Sequence, residues 1–338
     1  MSDTQSPVPV PWFADNGVNL ASPKLGAKVI FATDEFFASK ERLIKDADPI
    51  FIPDKYDDNG KWMDGWESRR RRVPGHDHCI IRLEARGTID GVDIDTSHFT
   101  GNHPPHASIE GCLSETDPND STEWTEIVPK TALDADSHNF VEVASNEHFN
   151  HLRLHIYPDG GVARLRVYGQ PQCAWQRHDP NGVHELSAIT NGGRIIGYND
   201  AHYGSPWVIL TPGRGTDMGD GWETRRRREP GNDWIVMALG AKGLVERIEV
   251  DTAHFKGNYP DRCSIEAVVL EDGDEAQLLE DGVDWQPLMG EQKLEMDRIH
   301  TFEGDKLNGI GPVTHLRLSI YPDGGVSRLR AFGKLDQA

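Results

Sequence analysis

The strongest constraint on how this chain can fold is that it is written twice. HLRLHIYPDGGVARLRVYGQ, which begins at His151, returns as HLRLSIYPDGGVSRLRAFGK from His315, with fifteen of twenty letters unchanged. VDIDTSHFTGNHPPHASIE at Val92 returns as IEVDTAHFKGNYPDRCSIE at Ile248, and DGWESRRRRVPG at Asp64 as DGWETRRRREPG at Asp220. Even ATDEFFA at Ala32 has a partner in YNDAHYG at Tyr198. The order of all four blocks is kept, and the unit is roughly 155–165 residues long, far above the roughly 20–50 of a solenoid repeat. Each copy is large enough to bury a core of its own, so the chain reads as two whole domains. PQCAWQRHDPNG, residues 171–182, has the proline, glycine and polar content of a linker. The expected organisation is a tail over 1–16, a first repeat over 17–170, a linker over 171–182 and a second repeat over 183–338.

Within each copy the apolar residues recur at every second position. Leu152, Leu154 and Ile156 alternate with His151, Arg153 and His155, the pattern of a strand with one buried face. Arg164-Leu165-Arg166-Val167 alternates again, and the intervening Tyr157-Pro158-Asp159-Gly160-Gly161 predicts a hairpin loop, repeated around Tyr321 to Gly325. Val92 and Ile94 alternate with Asp93 and Asp95 in a further strand. Only residues 37–45 suggest a helix, and a short one. Many short strands with glycine and proline at their junctions predict an all-β protein, a β-sandwich or jelly roll per copy.

Charge and cysteine content narrow the function. The formal net charge is -20, and two arginine quartets are too small a basic face to hold nucleic acid against it. No apolar run approaches the roughly 20 residues that span a bilayer, and the opening MSDTQSPVPVPWF lacks the basic start and apolar stretch of a secretory signal. The expectation is a cytoplasmic protein with neither nucleic-acid nor membrane partners. Cys79, Cys112, Cys173 and Cys263 are too few and too irregularly spaced for a disulfide framework or a metal knuckle, and are expected to be thiols.

The blocks DGWE[ST]RRRR, DT[SA]HF[TK]GN and HLRL[HS]IYPDGG, each present twice and in order, resemble the allantoicase family over nearly the whole chain. That resemblance implies a pair of jelly-roll, galactose-binding-like β-sandwich domains born of an internal duplication. It also implies hydrolysis of allantoate to ureidoglycolate and urea in purine (allantoin) catabolism and nitrogen recycling, and a homo-oligomer. A second class remains open on the residues: a non-catalytic tandem module that binds a small anionic or sugar-like ligand.

Allantoate is a carboxylate whose α-carbon carries two ureido groups, so a site needs a cation and further polar groups, and Arg meets the first need well. Arg69, Arg70 and Arg71, with Arg225, Arg226 and Arg227, are the candidates. On a strand Arg69 and Arg71 would point one way and Arg70 and Arg72 the other, so half of each run is left to pair with acidic residues. Glu67 and Glu223 precede the runs as acid-base candidates, although neighbouring arginines are expected to keep them ionised and confined to electrostatic or hydrogen-bonding roles, or to salt bridges. Trp66 and Trp222 read as core or pocket wall.

His98 and His254, oriented by Asp95 and Asp251, are candidates to protonate the departing urea nitrogen, or else are histidines bound to backbone at a strand end. Asn102 and Asn258 suit a ureido group or a left-handed turn. Arg153 and Arg317, beside His151 and His315, could extend a cationic surface across the hairpin to Arg164, Arg166, Arg328 and Arg330. A divalent metal ion is possible: His98, His103 and His106 are closely spaced, but Tyr259 and Arg262 replace the last two in the second copy, leaving one His plus carboxylates as the alternative. No nucleophile elbow, duplicated cysteine or phosphate loop is present. The copies also differ, Glu35 and Phe36 standing against Ala201 and His202 and Val73 against Glu229, which favours a site in the first copy or one shared between the two.

Overall fold

The computed structural model describes residues 9–15 and 17–336; of the expected tail, residues 1–8 and 16 lie outside that range. The chain divides into two compact units, the first ending at Pro171 and the second beginning at Gln172. Among the described residues no helix is long and apolar enough to cross a membrane. Helix is limited to short turns, and the segment expected to be helical near residues 37–45 is a single 3-10 turn, Lys40–Ile44.

Each unit is built around one 19-residue strand, Asp77–Asp95 in the first and Asp233–Asp251 in the second. In the first unit, alternate residues of this strand are buried from Asp77 to Ile89, and every residue from Gly91 to Asp95 is buried. The change in pattern follows from its partners. The N-terminal part pairs with Lys28–Ala32 and Phe149–Tyr157, and the C-terminal part with Arg164–Pro171 and Phe140–Glu142. All are antiparallel, so one strand passes through both layers of a β-sandwich whose eight strands form a continuous ladder. The second unit repeats the arrangement with its own eight-stranded sheet.

This topology corrects one expectation. Strands Phe149–Tyr157 and Arg164–Pro171 do not form a hairpin with each other; they pair with opposite ends of the long strand, and the loop between them crosses from layer to layer. The apolar periodicity was sound, since Leu152, Leu154, Ile156, Leu165 and Val167 are all fully buried, each such aliphatic side chain contributing about 1.5–3 kcal/mol. The polar alternates did not all face solvent: His151, His315, Arg164 and Arg328 are buried too. A cationic surface running from Arg153 to Arg164 therefore does not exist. Arg153 bonds Glu110 and lies over the Trp124 ring in one layer, and Arg317 pairs in the same way with Glu266 over Trp285.

The crossing loop returns as the short strand Gly161–Val162, which pairs with Trp66–Glu67. A methyl group on Gly161 would lie 1.9 Å from the ring of Phe99, which is itself fully buried. Gly161→Ala is therefore expected to lower stability by about 1–3 kcal/mol through overpacking, measured as a lower urea midpoint, and the matching contact of Gly325 with Phe255 predicts the same for Gly325→Ala.

Candidate active site

The strand Trp66–Glu67 is held on both edges, by Gly161–Val162 and by a bridge to Ala38. Trp66 is fully buried and its indole N–H donates to the Asp34 carbonyl at 2.8 Å, as Trp222 does to Asp200. These contacts fix the backbone of Glu67, whose side chain is almost buried. Asn102 completes the arrangement: its amide donates to Glu67 Oε1 at 2.8 Å, while its carbonyl accepts the Gly161 N–H at 2.8 Å.

The loop bearing Asn102 starts with an Asp-centred turn at the end of the long strand. Asp95 accepts the Ser97 N–H at 2.8 Å, and Phe99 is driven into the core beside Met63 and Ala163. Between them His98 takes a left-handed conformation, φ 69°, and turns outward; His254 has the same φ. Such a backbone is uncommon for a residue other than glycine. It is stabilised here by the His98 N–H donating to Asp136 Oδ1 at 2.6 Å, and Asp297 serves His254 equally at 2.9 Å. The carboxylates expected to orient the imidazoles do something else: Asp95 and Asp251 cap the turns, and each sits near an arginine, Arg166 and Arg214 respectively. The His98 ring is positioned by Nε2, 3.1 Å from the Pro49 carbonyl, and by the Phe51 ring 5.8 Å away.

Pro49 and Phe51 belong to a segment that is longer in the first repeat than in the second. Nineteen residues separate Ile44 from Asp64, whereas nine separate Leu210 from Asp220. The extra length holds a small two-stranded turn, Tyr56–Asp57 against Gly60–Lys61, and brings Lys61 Nζ over the Phe51 ring at 4.4 Å. Its base is fastened by Arg164, which is fully buried and donates to the carbonyls of Ala47, Arg42 and Asp64 and to the Asp64 carboxylate at 2.7 Å.

Together these elements enclose a cavity of ≈ 440 Å³ lined by Phe37, Phe51, Lys61, Met63, Glu67, His98, Thr100, Asn102 and Asp136. Burial raises the pKa of Glu67 above the ordinary carboxylate value, only partly offset by the Asn102 hydrogen bond. The arginines next to it in sequence do not offset this shift, and two of them are spent elsewhere. Arg69 pairs with Asp34 and Arg71 with Asp77, each at 2.7 Å; Arg225 and Arg227 pair with Asp200 and Asp233. Arg70 and Arg72 are exposed and have no ion pair among the described residues. The structure thus brings Glu67, His98 and Asn102 into one cavity and leaves Arg69, Arg70, Arg71, Arg153 and Asp95 out of its wall.

In the second repeat Glu223 and Asn258 again form a hydrogen-bonded pair. They line a different cavity, of ≈ 410 Å³, with Arg226, and neither Arg225, Arg227, Arg317, Asp251 nor His254 belongs to it. The three clustered histidines of the first copy do not converge either. Among the described residues no group of three or more His, Cys, Asp or Glu side chains is arranged to hold a metal ion.

Lys61, Phe51 and Asp136 were missed in the sequence reading. Phe51 lies in the segment that is longer in the first copy, and Lys61 stands against Asp217 in the second, so comparing copies points to neither. Asp136 had a visible signal: Leu133-x-x-Asp136 returns as Leu294-x-x-Asp297, each followed by a His and a Phe.

A family model described as "Allantoicase repeat" matches residues 18–172 and again 184–336. A curated protein of Burkholderia mallei, "Probable allantoicase 1", is 54% identical over 328 residues, 97% of each chain. A "Probable allantoicase" of Ralstonia nicotianae is also 54% identical, over 96% of this chain and 97% of its own. The crystal structure of allantoicase from Saccharomyces cerevisiae superposes with a TM-score of 0.77 at 38% identity, over 94% of this chain and 93% of that one.

Proposed function

The chain belongs to the allantoicase family, and we propose that its first repeat is where allantoate is hydrolysed, in the cavity bounded by Lys61, Glu67, His98 and Asn102. The activity is that of an amidinohydrolase: one carbon–nitrogen bond at the α-carbon breaks, the departing nitrogen takes up a proton and leaves as urea, and water supplies the hydroxyl of ureidoglycolate. The observation that carries the placement is the buried Glu67 carboxyl, hydrogen-bonded to Asn102 and with its pKa raised by burial, in the wall of a cavity that the Lys61 ammonium also lines.

Glu67 is the general acid. Asn102 donates to its Oε1, which leaves Oε2 to carry the proton that goes to the urea nitrogen. The carboxylate so formed then takes a proton from the attacking water, and a single group closes the cycle. Lys61 receives the substrate carboxylate in a charge-assisted hydrogen bond, with its stem and ammonium steadied on Phe51. His98, donating from Nε2 to Pro49, presents Nδ1 as an acceptor for a ureido N–H. The same reading gives a cytoplasmic homo-oligomer that binds neither nucleic acid nor membrane, supported by the acidic net charge of -20.

Lys61→Met tests the cation directly. Loss of a charge-assisted contact worth about 1.5–3 kcal/mol is expected to raise KM for allantoate roughly tenfold to a hundredfold, with a smaller change in kcat; an unaltered KM in a urea-release assay would remove Lys61 from the site.

A further inference from the structure

The second repeat retains the Glu–Asn pair but uses its other side. A shorter stretch stands in place of the Pro49–Lys61 segment, its Gly215 carbonyl 2.8 Å from His254 Nε2, and Asp217 and Lys256 occupy the positions of Lys61 and Thr100. The cavity beside Glu223 and Asn258 opens instead toward the strand exit, Thr224 and Arg226, and toward the crossing loop, Pro322 to Gly324, with Tyr259 and Asp261 in its wall. His254 does not reach it.

The chemistry of this wall is that of capture. Arg226 lines the cavity, is exposed and has no ion pair among the described residues, so a planar cationic fork is available for a carboxylate. The acidic groups around it are already partnered and fixed. Asp323 accepts the Arg227 N–H at 2.9 Å, Glu223 accepts from Asn258, and Asp261 pairs with Arg262 and Lys293, which holds its carboxyl below the usual range. Each keeps lone pairs that can accept from amide N–H groups. A ligand that matches the wall has one carboxylate and several amide-like donors within a small frame.

We propose that the second repeat carries a binding site, without hydrolysis, for a ureido-carboxylate, held by Arg226 through its carboxylate and by Glu223, Asp261 and Asp323 through its ureido nitrogens. This rests on the placement of the reaction in the first repeat. Glu223 is the copy of the proposed acid, but its cavity offers no imidazole, and its cation is the Arg226 guanidinium in place of the Lys61 ammonium of the first site.

Allantoate and ureidoglycolate share this chemistry, and calorimetry separates them. The full chain carrying Glu67→Gln is titrated with each compound in turn, with and without Arg226→Ala. The expected result is two molecules bound per chain for at least one compound, falling to one when Arg226→Ala is added; the compound that shows the fall is the ligand. Arg226 is exposed, so the substitution leaves the fold intact, and a thermal melt checks this. A stoichiometry that Arg226→Ala leaves unchanged for both compounds overturns the proposal. Turnover of allantoate by Glu67→Gln at the wild-type rate would sink the catalytic placement alone, because the change in ureidoglycolate stoichiometry would still decide the role of Arg226.

Discussion

Glu67→Gln lowers kcat for urea release by about 10²–10⁴-fold, the range set by removal of a positioned general acid, while Glu223→Gln does not lower it on that scale. Glutamine keeps the volume of the side chain and an acceptor for the Asn102 amide, so the loss is chemical rather than structural. The pH dependence carries the same signature. As the donor must be protonated, the wild-type rate falls as pH rises through the elevated pKa of Glu67, and this limb disappears from the residual activity of the variant.

Stability moves in the opposite direction. A carboxyl whose folded pKa lies above its ordinary value of 4.5 contributes stability that is fully present below that value and is lost as pH rises through the folded pKa. Glu67→Gln removes the penalty for burying a charge. The variant is therefore expected to melt at least as high as the wild type at neutral pH, with no advantage below pH 4.5. A lower melting temperature at neutral pH would show that Glu67 is there as a structural anion. The expected result, by contrast, means that the site trades stability for chemistry, a pattern common where a strained or buried group does the work.

Arg164→Ala carries the largest expected effect on stability. Arg164 and Asp64 are both buried, and removal of one member of a buried ion pair costs about 3–5 kcal/mol. Burial alone would raise the pKa of Asp64, but hydrogen bonds from Lys45 and Arg164 more than compensate and hold it low. The sign follows: the contribution of a depressed carboxyl is present above its ordinary pKa of 3.8 and is lost as pH falls through the folded value. The gap between wild type and Arg164→Ala, measured by urea unfolding, should therefore narrow in acid.

The second repeat is its control. Arg328 bonds Asp220 and its carbonyl, and Arg328→Ala is expected to cost a similar amount of stability. Only Arg164, however, also ties down the carbonyls of Arg42 and Ala47 at the root of the segment that delivers Pro49, Phe51 and Lys61. At a temperature where both variants remain folded, Arg164→Ala should raise KM and Arg328→Ala should not. Equal kinetics in the two would detach the long segment from catalysis.

These residues also mark what a reader of the sequence can see. Duplication made the two-domain β architecture legible, because two copies of an alternating pattern must bury the same faces. It also pointed to Glu67, His98 and Asn102, since polar residues repeated at a strand end mark the loops that a sandwich positions rigidly. The hairpin between Phe149–Tyr157 and Arg164–Pro171 was misread because local turn chemistry is the same whether a chain doubles back within one layer or crosses to the other. Arg164 was misread for a related reason: period-2 alternation assumes that one face meets solvent, and here Arg42, Ala47 and Asp64 cover that face and take the guanidinium's hydrogen bonds, as Asp220 does for Arg328 in the second repeat. The run of four arginines drew attention by its charge, yet Arg69 and Arg71 are held in ion pairs with Asp34 and Asp77. Lys61 stands against Asp217 in the second copy, so no repeat could point to it.

The central claim is that the bond breaks in the first repeat, between the Lys61 ammonium and the buried carboxyl of Glu67. The crystal structure of the full chain carrying Glu67→Gln with allantoate bound tests it most directly. The predicted result is substrate density in the first cavity, its carboxylate on Lys61 Nζ and a ureido nitrogen against the side chain at position 67. Ordered allantoate elsewhere, with that cavity holding only water, would contradict the account.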